Sequence, residues 1–256
     1  MPLREPADSD LPIFWVQLTD PELQQIAAVA RRYHYDRGHF DQHWAKVRAD
    51  PPSSCEPLDS ARQAGVEHVV LVSSITVQTH PHLGPAGAKL AVEKLLKNSG
   101  MAWTILRPTQ FASNALWWAA SIREHGAVRA PYADIGLPTI HPADIASVAR
   151  VALTETGHHG RTYALTGPER VTARQQVESI TKALGREVPI AEISREEARL
   201  HMVTFLGDES ADAVLDVTGG DVNEELLRVR DTVEQVTGSP ARSFRQWVSE
   251  NASAFC

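Results

Sequence analysis

The sequence has few of the residues that mark several common classes of protein. Its 256 residues include two cysteines, Cys55 and Cys256, so no disulfide framework is expected and a reducing compartment is predicted. Acidic residues outnumber basic ones, and the formal net charge of -7 provides no basic surface for the backbone of a nucleic acid. We therefore expect no nucleic-acid contact and a small molecule as the partner.

Long apolar runs are also missing. No stretch approaches the roughly 18–20 apolar residues that span a bilayer, and the acidic N-terminal segment lacks the apolar core of a signal peptide. The sequence therefore predicts a cytoplasmic protein without membrane association. Its 43% of hydrophobic and 22% of charged residues are typical of a globular chain with a sizeable core.

From about residue 57 onward, apolar runs alternate with amphipathic segments, which predicts an α/β fold with a doubly wound, mostly parallel sheet. The predicted strands are His68–Val72, Ala102–Leu106, Arg161–Leu165 and Val188–Ile193. The predicted helices are Pro57–Ala64, Ala86–Asn98, Phe111–His125, Pro142–Thr154, Thr172–Leu184 and Ala241–Ala252, with a loop at Ile75–Gly84. We expect an atypical segment at 1–56, an α/β core at 57–185 and a smaller, mainly helical C-terminal lobe at 186–256.

The first 56 residues fit this alternation poorly. The sequence from Thr19 to Glu22 has the form of a capping box with proline near the helix start, which predicts a helix over Pro21–Arg32. The residues around it show neither the period of a helix nor that of a strand.

Five blocks of sequence follow one another between residues 56 and 255. They are AGVEHVVLVSS, AVEKLLKNSGMAWTILRPTQFASN, HPADIASVARVAL, YALTGPERVTARQQVESITKALGREV and DTVEQVTGSPARSFRQWVSENASAF. In these blocks the chain resembles the NmrA-like atypical short-chain dehydrogenase/reductases, a group of NAD(P)-binding regulators and reductases of quinones, azo dyes and triphenylmethane dyes. The resemblance implies a Rossmann-like fold, NADP or NAD as cofactor, and an NAD(P)-dependent reduction of a small, aromatic or quinone-like acceptor.

One part of the family pattern is absent. The family opens with a strand, a Gly-x-x-Gly-x-x-Gly loop and a helix, which together bind the diphosphate, and no such run precedes Gly65. This absence counts against cofactor binding. It also predicts a sheet without its first strands, either because the chain starts late relative to the family or because the reading frame was misassigned. Three outcomes are open for the strand edge exposed in this way. The N-terminal segment rebuilds it, a partner such as a second copy in a homo-oligomer covers it, or the domain is only marginally stable.

Two other functions therefore stay open beside the reductase. One is a non-redox pseudo-enzyme or regulatory protein that uses the cleft for binding. The other is a cofactor-free isomerase or cyclase, in which Lys89, His80 and His82 would be acid–base groups.

The resemblance also implies roles for several residues. Lys89 stands where tyrosine-dependent members of the wider superfamily carry a lysine that holds the cofactor ribose, while Pro85 stands where they carry the tyrosine. Lys89 is thus a candidate cofactor contact, or a solvated helix lysine. The other candidate cofactor contacts, at the ends of two predicted strands, are Ser73, Ser74, Arg107, Pro108 and Thr109. The two serines could equally be polar strand ends that cap the next turn.

Aromatic and polar residues follow the second of these strands. Phe111, Asn114, Trp117 and Trp118 are candidates for binding a planar substrate, although the aromatic residues could equally belong to the core.

Histidines supply the candidate proton donors. His80 and His82 could replace the missing tyrosine because histidine titrates near neutrality, or they could lie in an exposed loop. No third ligand with recognisable spacing joins them, so no metal site is predicted. His141 and Asp144 match a family block, and Asp144 is expected to stabilise a helix start.

Overall fold

A four-stranded sheet forms the centre of the fold. The structure is a computed structural model, and it describes residues 27–30 and 56–256. The strands are β1 (Ala27–Ala30), β2 (His68–Val72), β3 (Ala102–Pro108), β4 (Val128–Ala130), β5 (Arg161–Leu165) and β6 (Ile190–Glu192). The main sheet has the order β1–β2–β3–β5, whereas β4 and β6 form a separate parallel pair. Because β2, β3 and β5 are parallel, their carboxyl ends meet at one edge of the sheet.

Helices connect these strands and make up most of the C-terminal region. Up to β6 they are α1 (Glu56–Gln63), α2 (Thr76–Thr79), α3 (Gly84–Lys97), a 3₁₀ helix (Ala112–Trp118), α4 (Ala119–His125), α5 (Pro142–Thr154) and α6 (Ala173–Leu184). After β6 they are α7 (Arg195–Leu206), α8 (Asp208–Leu215), a π-helical turn (Asp216–Gly220), α9 (Glu224–Leu227), α10 (Thr232–Thr237), α11 (Phe244–Asn251) and a 3₁₀ turn (Ala252–Phe255).

Helices pack on both faces of the sheet, which confirms the predicted doubly wound α/β fold. Side chains of a strand alternate between its two faces, so neighbouring residues of β2 and β3 enter different clusters. The cluster under α1 and α3 contains Leu58, Val69, Leu71, Val92, Leu96 and Ile105. The cluster under α5 and α10 contains Val70, Leu106, Val148, Leu165 and Val233.

The predicted bounds are confirmed for β2, α5 and β5, and four of the other segments differ as follows. The helix predicted over Phe111–His125 begins as a 3₁₀ helix and becomes α-helical only at Ala119. The helix predicted from Ala241 begins at Phe244, because the Ser243 hydroxyl accepts the backbone N–H of Gln246 and caps it there. The predicted loop after β2 contains the short helix α2, and the last predicted strand is shorter, as β6.

The helix predicted over Pro21–Arg32 is wrong at residues 27–30, which form β1; its other residues lie outside the described part of the chain. β1 pairs antiparallel with β2, and Ala27 lies opposite Val72. The open edge of β2 offers backbone donors and acceptors, and satisfying them outweighs a modest local helix preference. Of the three outcomes predicted for that edge, the structure shows the first, in which the N-terminal segment rebuilds it.

The C-terminal region is mainly helical, as predicted. One cluster joins Ile180 of α6 and Val128 of β4 to Trp247 and Phe255 near the C-terminus, so it crosses the predicted boundary at residue 185. That boundary stays a prediction. Among the described residues, no helix is both long and apolar enough to cross a bilayer.

Candidate functional site

The candidate cofactor contacts lie at the edge of the sheet where β2 and β3 end. Ser73 and Ser74 follow β2, Arg107 and Pro108 end β3, and Thr109 comes next. Helix α3 connects these two parallel strands, so its first turns begin at the same edge. Ligands of open α/β sheets bind outside this edge, which makes it the candidate site.

Lys89 lies in the second turn of α3. Its ammonium donates a hydrogen bond of 3.4 Å to the carbonyl oxygen of Pro85, because helical side chains lean towards the helix N-terminus. Burial lowers the pKa of the Lys89 ammonium below its ordinary value. Within the described part of the chain this is the one hydrogen bond of an ammonium that carries three donors, so it can bind a further acceptor.

Arg107 and Ser73 are held by a carboxylate on α3. The Arg107 guanidinium forms a two-pronged ion pair with Glu93, with Nε–Oε1 at 2.9 Å and Nη2–Oε2 at 2.6 Å. The Ser73 hydroxyl donates to Glu93 Oε1 at 2.7 Å, and the Glu93 side chain is fully buried. The guanidinium predicted to contact a cofactor therefore already neutralises a buried carboxylate.

The remaining strand-end residues make local contacts. The Ser74 hydroxyl accepts from the backbone N–H of Thr76 at 3.2 Å, so it closes the turn that precedes α2. The Thr109 hydroxyl donates to the Pro138 carbonyl at 2.5 Å, and Pro108 is buried in β3. These contacts agree with the alternative in which polar strand ends cap the next turn, and cofactor roles for Ser74, Pro108 and Thr109 stay predictions.

The two candidate proton donors lie in different surroundings. His80 is fully buried: its Nδ1 lies 2.8 Å from the Thr79 hydroxyl, and its Nε2 lies 2.5 Å from the backbone carbonyl of Asp221. His82 is exposed, with its Nε2 3.9 Å from a carboxylate oxygen of Asp221. Because both nitrogens of His80 have protein partners, His82 is the histidine with access to solvent at this edge.

The aromatic residues do not form one continuous wall. Trp117 is 48% exposed and contacts Phe205 of α7 edge-on, with 6.0 Å between the ring centroids. Trp118 packs against an apolar cluster with side chains from α6 and α11, in agreement with the alternative in which it belongs to the core. Phe111 and Asn114 are half-buried at the start of the 3₁₀ helix, directly after the end of β3.

His141 and Asp144 have structural roles, as expected. His141 Nδ1 accepts the backbone N–H of Ala143, which caps α5. The buried carboxylate of Asp144 accepts from the backbone N–H of Arg242 at 2.7 Å and pairs with its guanidinium. Asp144 therefore stabilises the helix start and also ties α5 to the segment before α11.

Sequence reasoning missed Tyr132. Its backbone φ of 52° lies in the left-handed region, where side chains other than glycine are strained. Its ring packs so closely on Gly219 that a Cβ there would lie 2.1 Å from the ring, which explains a glycine at that position. Backbone strain of this kind concentrates at functional sites. The Gly219-Gly220 pair is the one sequence signal that could have pointed to it.

The described residues contain no group of three or more histidine, cysteine, aspartate or glutamate side chains that could hold a metal ion.

Comparison with known proteins links this geometry to a family. Residues 42–156 match a family model described as NAD(P)H-binding. A (4-alkanoyl-5-oxo-2,5-dihydrofuran-3-yl)methyl phosphate reductase of Streptomyces griseus is 38% identical over 213 residues, which cover 82% of this chain and 75% of that protein. The chain belongs to the family of NAD(P)H-binding reductases that includes this Streptomyces protein.

Two further members of this family support the assignment. An NAD(P)H azoreductase of Xenophilus azovorans is 34% identical over 205 residues, or 77% of this chain and 70% of that protein. The crystal structure of an NADPH-dependent quinone oxidoreductase from Escherichia coli, complexed with NADPH, is 27% identical with a TM-score of 0.66. That match covers 77% of this chain and 70% of the other.

Lys89, on α3 beside the strand ends, fits one half of a dinucleotide. The half-buried Lys89 ammonium has donors left for a ribose hydroxyl, as the NmrA-like resemblance implies. No Gly-x-x-Gly-x-x-Gly run for the diphosphate occurs anywhere in the sequence. The residues present therefore fit the nicotinamide-ribose end.

Proposed function

We propose that this protein is an NAD(P)H-dependent reductase of a small, aromatic or quinone-like acceptor. The observation that carries the proposal is the Lys89 ammonium, half-buried at the carboxyl edge of the sheet with one hydrogen bond of 3.4 Å to the described chain. A buried ammonium is costly unless its donors are used. The names of its NmrA-like relatives, which act on quinones, azo compounds and a dihydrofuranone phosphate, support the acceptor class.

The proposed roles follow from the surroundings of each residue. Lys89 donates to a ribose hydroxyl of the cofactor, which supplies hydride when it is reduced and bound. An apolar cluster of Ile75, Leu137 and Leu226 excludes water beside the end of β2. Phe111 and Asn114 offer an aromatic edge and an amide to the acceptor.

The proton that accompanies hydride has two proposed sources. His82 is exposed at the same edge and its imidazole can carry a proton to the acceptor, and solvent is the alternative. His80 is the weaker candidate, because its buried ring already contacts Thr79 and Asp221.

One observation favours a second function. The Arg107 guanidinium and the Ser73 hydroxyl, both predicted cofactor contacts, already pair with Glu93, which favours a binding protein that uses the cleft without redox turnover. The two functions differ in whether a bound reduced nicotinamide is consumed.

Calorimetric titration with NADPH and with NADH tests the proposal. We expect a Kd in the micromolar range for at least one of them, and oxidation of that nucleotide when p-benzoquinone or an azo dye is added. An absence of binding at millimolar concentration would overturn the reductase. Binding without oxidation by either acceptor supports the binding protein instead.

Two lysine variants of α3 sharpen the same titration. Lys89→Ala is expected to weaken binding about 10- to 100-fold, the worth of a hydrogen bond from a charged group. Lys94→Ala is the matched control, because Lys94 lies on the exposed face of the same helix. Equal affinity of both variants and the unmodified protein would make Lys89 an ordinary helix lysine.

A further inference from the structure

The face of the sheet under α3 carries a buried charge where an apolar side chain would be expected. Glu93 lies on the inner side of α3 between Val92 and Leu96, and its carboxylate is fully buried. A buried carboxylate is tolerated only when its oxygens are paired. Burying a charged group between a helix and a sheet costs more free energy than burying an apolar side chain there.

The bonds of Glu93 join three separate elements. Oε1 accepts from the Ser73 hydroxyl after β2 and from Nε of Arg107 in β3, while Oε2 accepts from Nη2 of Arg107. The Lys97 ammonium, one turn further along α3, lies 3.9 Å from Oε2. A single carboxylate thus fixes α3 against the ends of both strands.

The same network reaches the C-terminal region. Arg107 Nη1 donates to the side-chain oxygen of Gln78 at 3.3 Å, and the Gln78 amide donates to Glu225 of α9 at 2.8 Å. Glu225 in turn pairs with Arg230. Elements that border the candidate site on both sides are therefore connected through Arg107, whose orientation Glu93 sets.

We infer that Glu93 is a positioning residue for the cofactor site, and this inference rests on the proposed function. Lys89 lies four residues before Glu93, on the same side of α3 and one turn closer to the carboxyl edge. By holding α3 to the strand ends, Glu93 sets where the Lys89 ammonium meets a ribose. It also holds the hydroxyl of the buried Ser73, which donates its proton to Glu93.

The test separates positioning from simple stabilisation. Glu93→Gln leaves the Arg107 guanidinium without its full counter-charge and is expected to lower both the Tm and NADPH affinity. Glu93→Leu combined with Arg107→Met removes both charges, so the Tm should recover towards that of the unmodified protein. NADPH affinity should stay at least about tenfold weaker, because the geometry is not restored.

The opposite result would overturn the inference. If the double variant binds NADPH as tightly as the unmodified protein, Glu93 only stabilises the fold. Glu178→Gln is the matched control: Glu178 pairs with Lys182 on the exposed surface of α6, and its variant should change neither quantity.

A second measurement keeps this test independent of cofactor binding. Competitive acetylation reports the accessibility and reactivity of each lysine amine in the protein alone. In the double variant we expect the labelling of Lys89 to change at least about threefold, while that of exposed Lys94 stays the same. Unchanged labelling of Lys89 would overturn the positioning role. Absence of binding of both NADPH and NADH to the unmodified protein would overturn the proposed function instead.

Discussion

The two neighbours of β2 are arranged differently. On one side β3 runs parallel to it over five residue pairs, so the segments after both strands reach the same edge. On the other side β1 runs antiparallel over four pairs, with Ala27 opposite Val72. β1 therefore begins, and does not end, at the edge where β2 and β3 end.

The two sides of β2 therefore differ in what they bring to the candidate site. The β3 side provides Lys89, Ser73 and the Glu93 network, all at one edge. In the Rossmann pattern, the diphosphate loop follows a parallel first strand at that edge. The antiparallel β1 instead ends at the opposite edge of the sheet. The direction of this one strand thus distinguishes the two sides of β2.

The largest expected effect is on the β3 side. Leu106 is fully buried in β3, and Leu106→Ala should lower the free energy of unfolding by about 2–5 kcal/mol, through lost burial and a cavity. Urea unfolding measures this change. Leu200→Ala, at a residue that is 71% exposed, should change stability by no more than about 0.5 kcal/mol. Similar costs for the two variants would contradict a core centred on β2 and β3.

The next effect sharpens the role of α3. Burial lowers the pKa of the Lys89 ammonium, so this group loses its proton at a lower pH than an ordinary lysine as the pH rises. NADPH affinity should therefore fall with rising pH before an ordinary lysine would titrate, by up to about 1.5–3 kcal/mol. Calorimetry over a pH series measures this.

Lys89→Arg is the control for that pH series, because arginine stays charged throughout it. The variant's affinity should not show the same decline. A decline of equal size in both proteins would assign the pH dependence to another group.

The smallest expected effect is on the β1 side. Backbone N–H groups of neighbouring strand residues point in opposite directions, so Ala28→Pro combined with Val29→Pro must remove a donor that faces β2. We expect a loss of about 1 kcal/mol in unfolding free energy, well below that of Leu106→Ala. A loss as large as that of Leu106→Ala would show that β1 supports the sheet as much as β3 does.

Local sequence signals predicted the central elements well. β2 is a short apolar strand, β5 is a short strand between turn residues, and α5 begins with proline after a capping residue, so each is specified by its own residues. β1 could not be predicted in this way. A helix-forming Ala-Ala-Val-Ala segment becomes a strand only because the edge of β2, about forty residues later, is open.

The candidate site also has features that the sequence predicts and features that it does not. The positions of Ser73, Lys89 and Arg107 at one edge follow from the order of strands and helices. The pairing of Arg107 with Glu93 does not follow from that order, since the sequence pattern places Glu93 on the solvated face of its helix. The burial of His80 is equally hidden, because it depends on Asp221 and Asn223 far along the chain.

The contact between His80 and Asp221 also has a consequence for how the protein folds. Its two residues are 141 positions apart, and Asn223 donates to the carbonyl of Thr79 across 144. Contacts of such long sequence separation close large loops and form slowly. During synthesis, the segment around His80 leaves the ribosome long before the residues that cover it. The edge that would receive the cofactor is therefore expected to be among the last parts of the nascent chain to close.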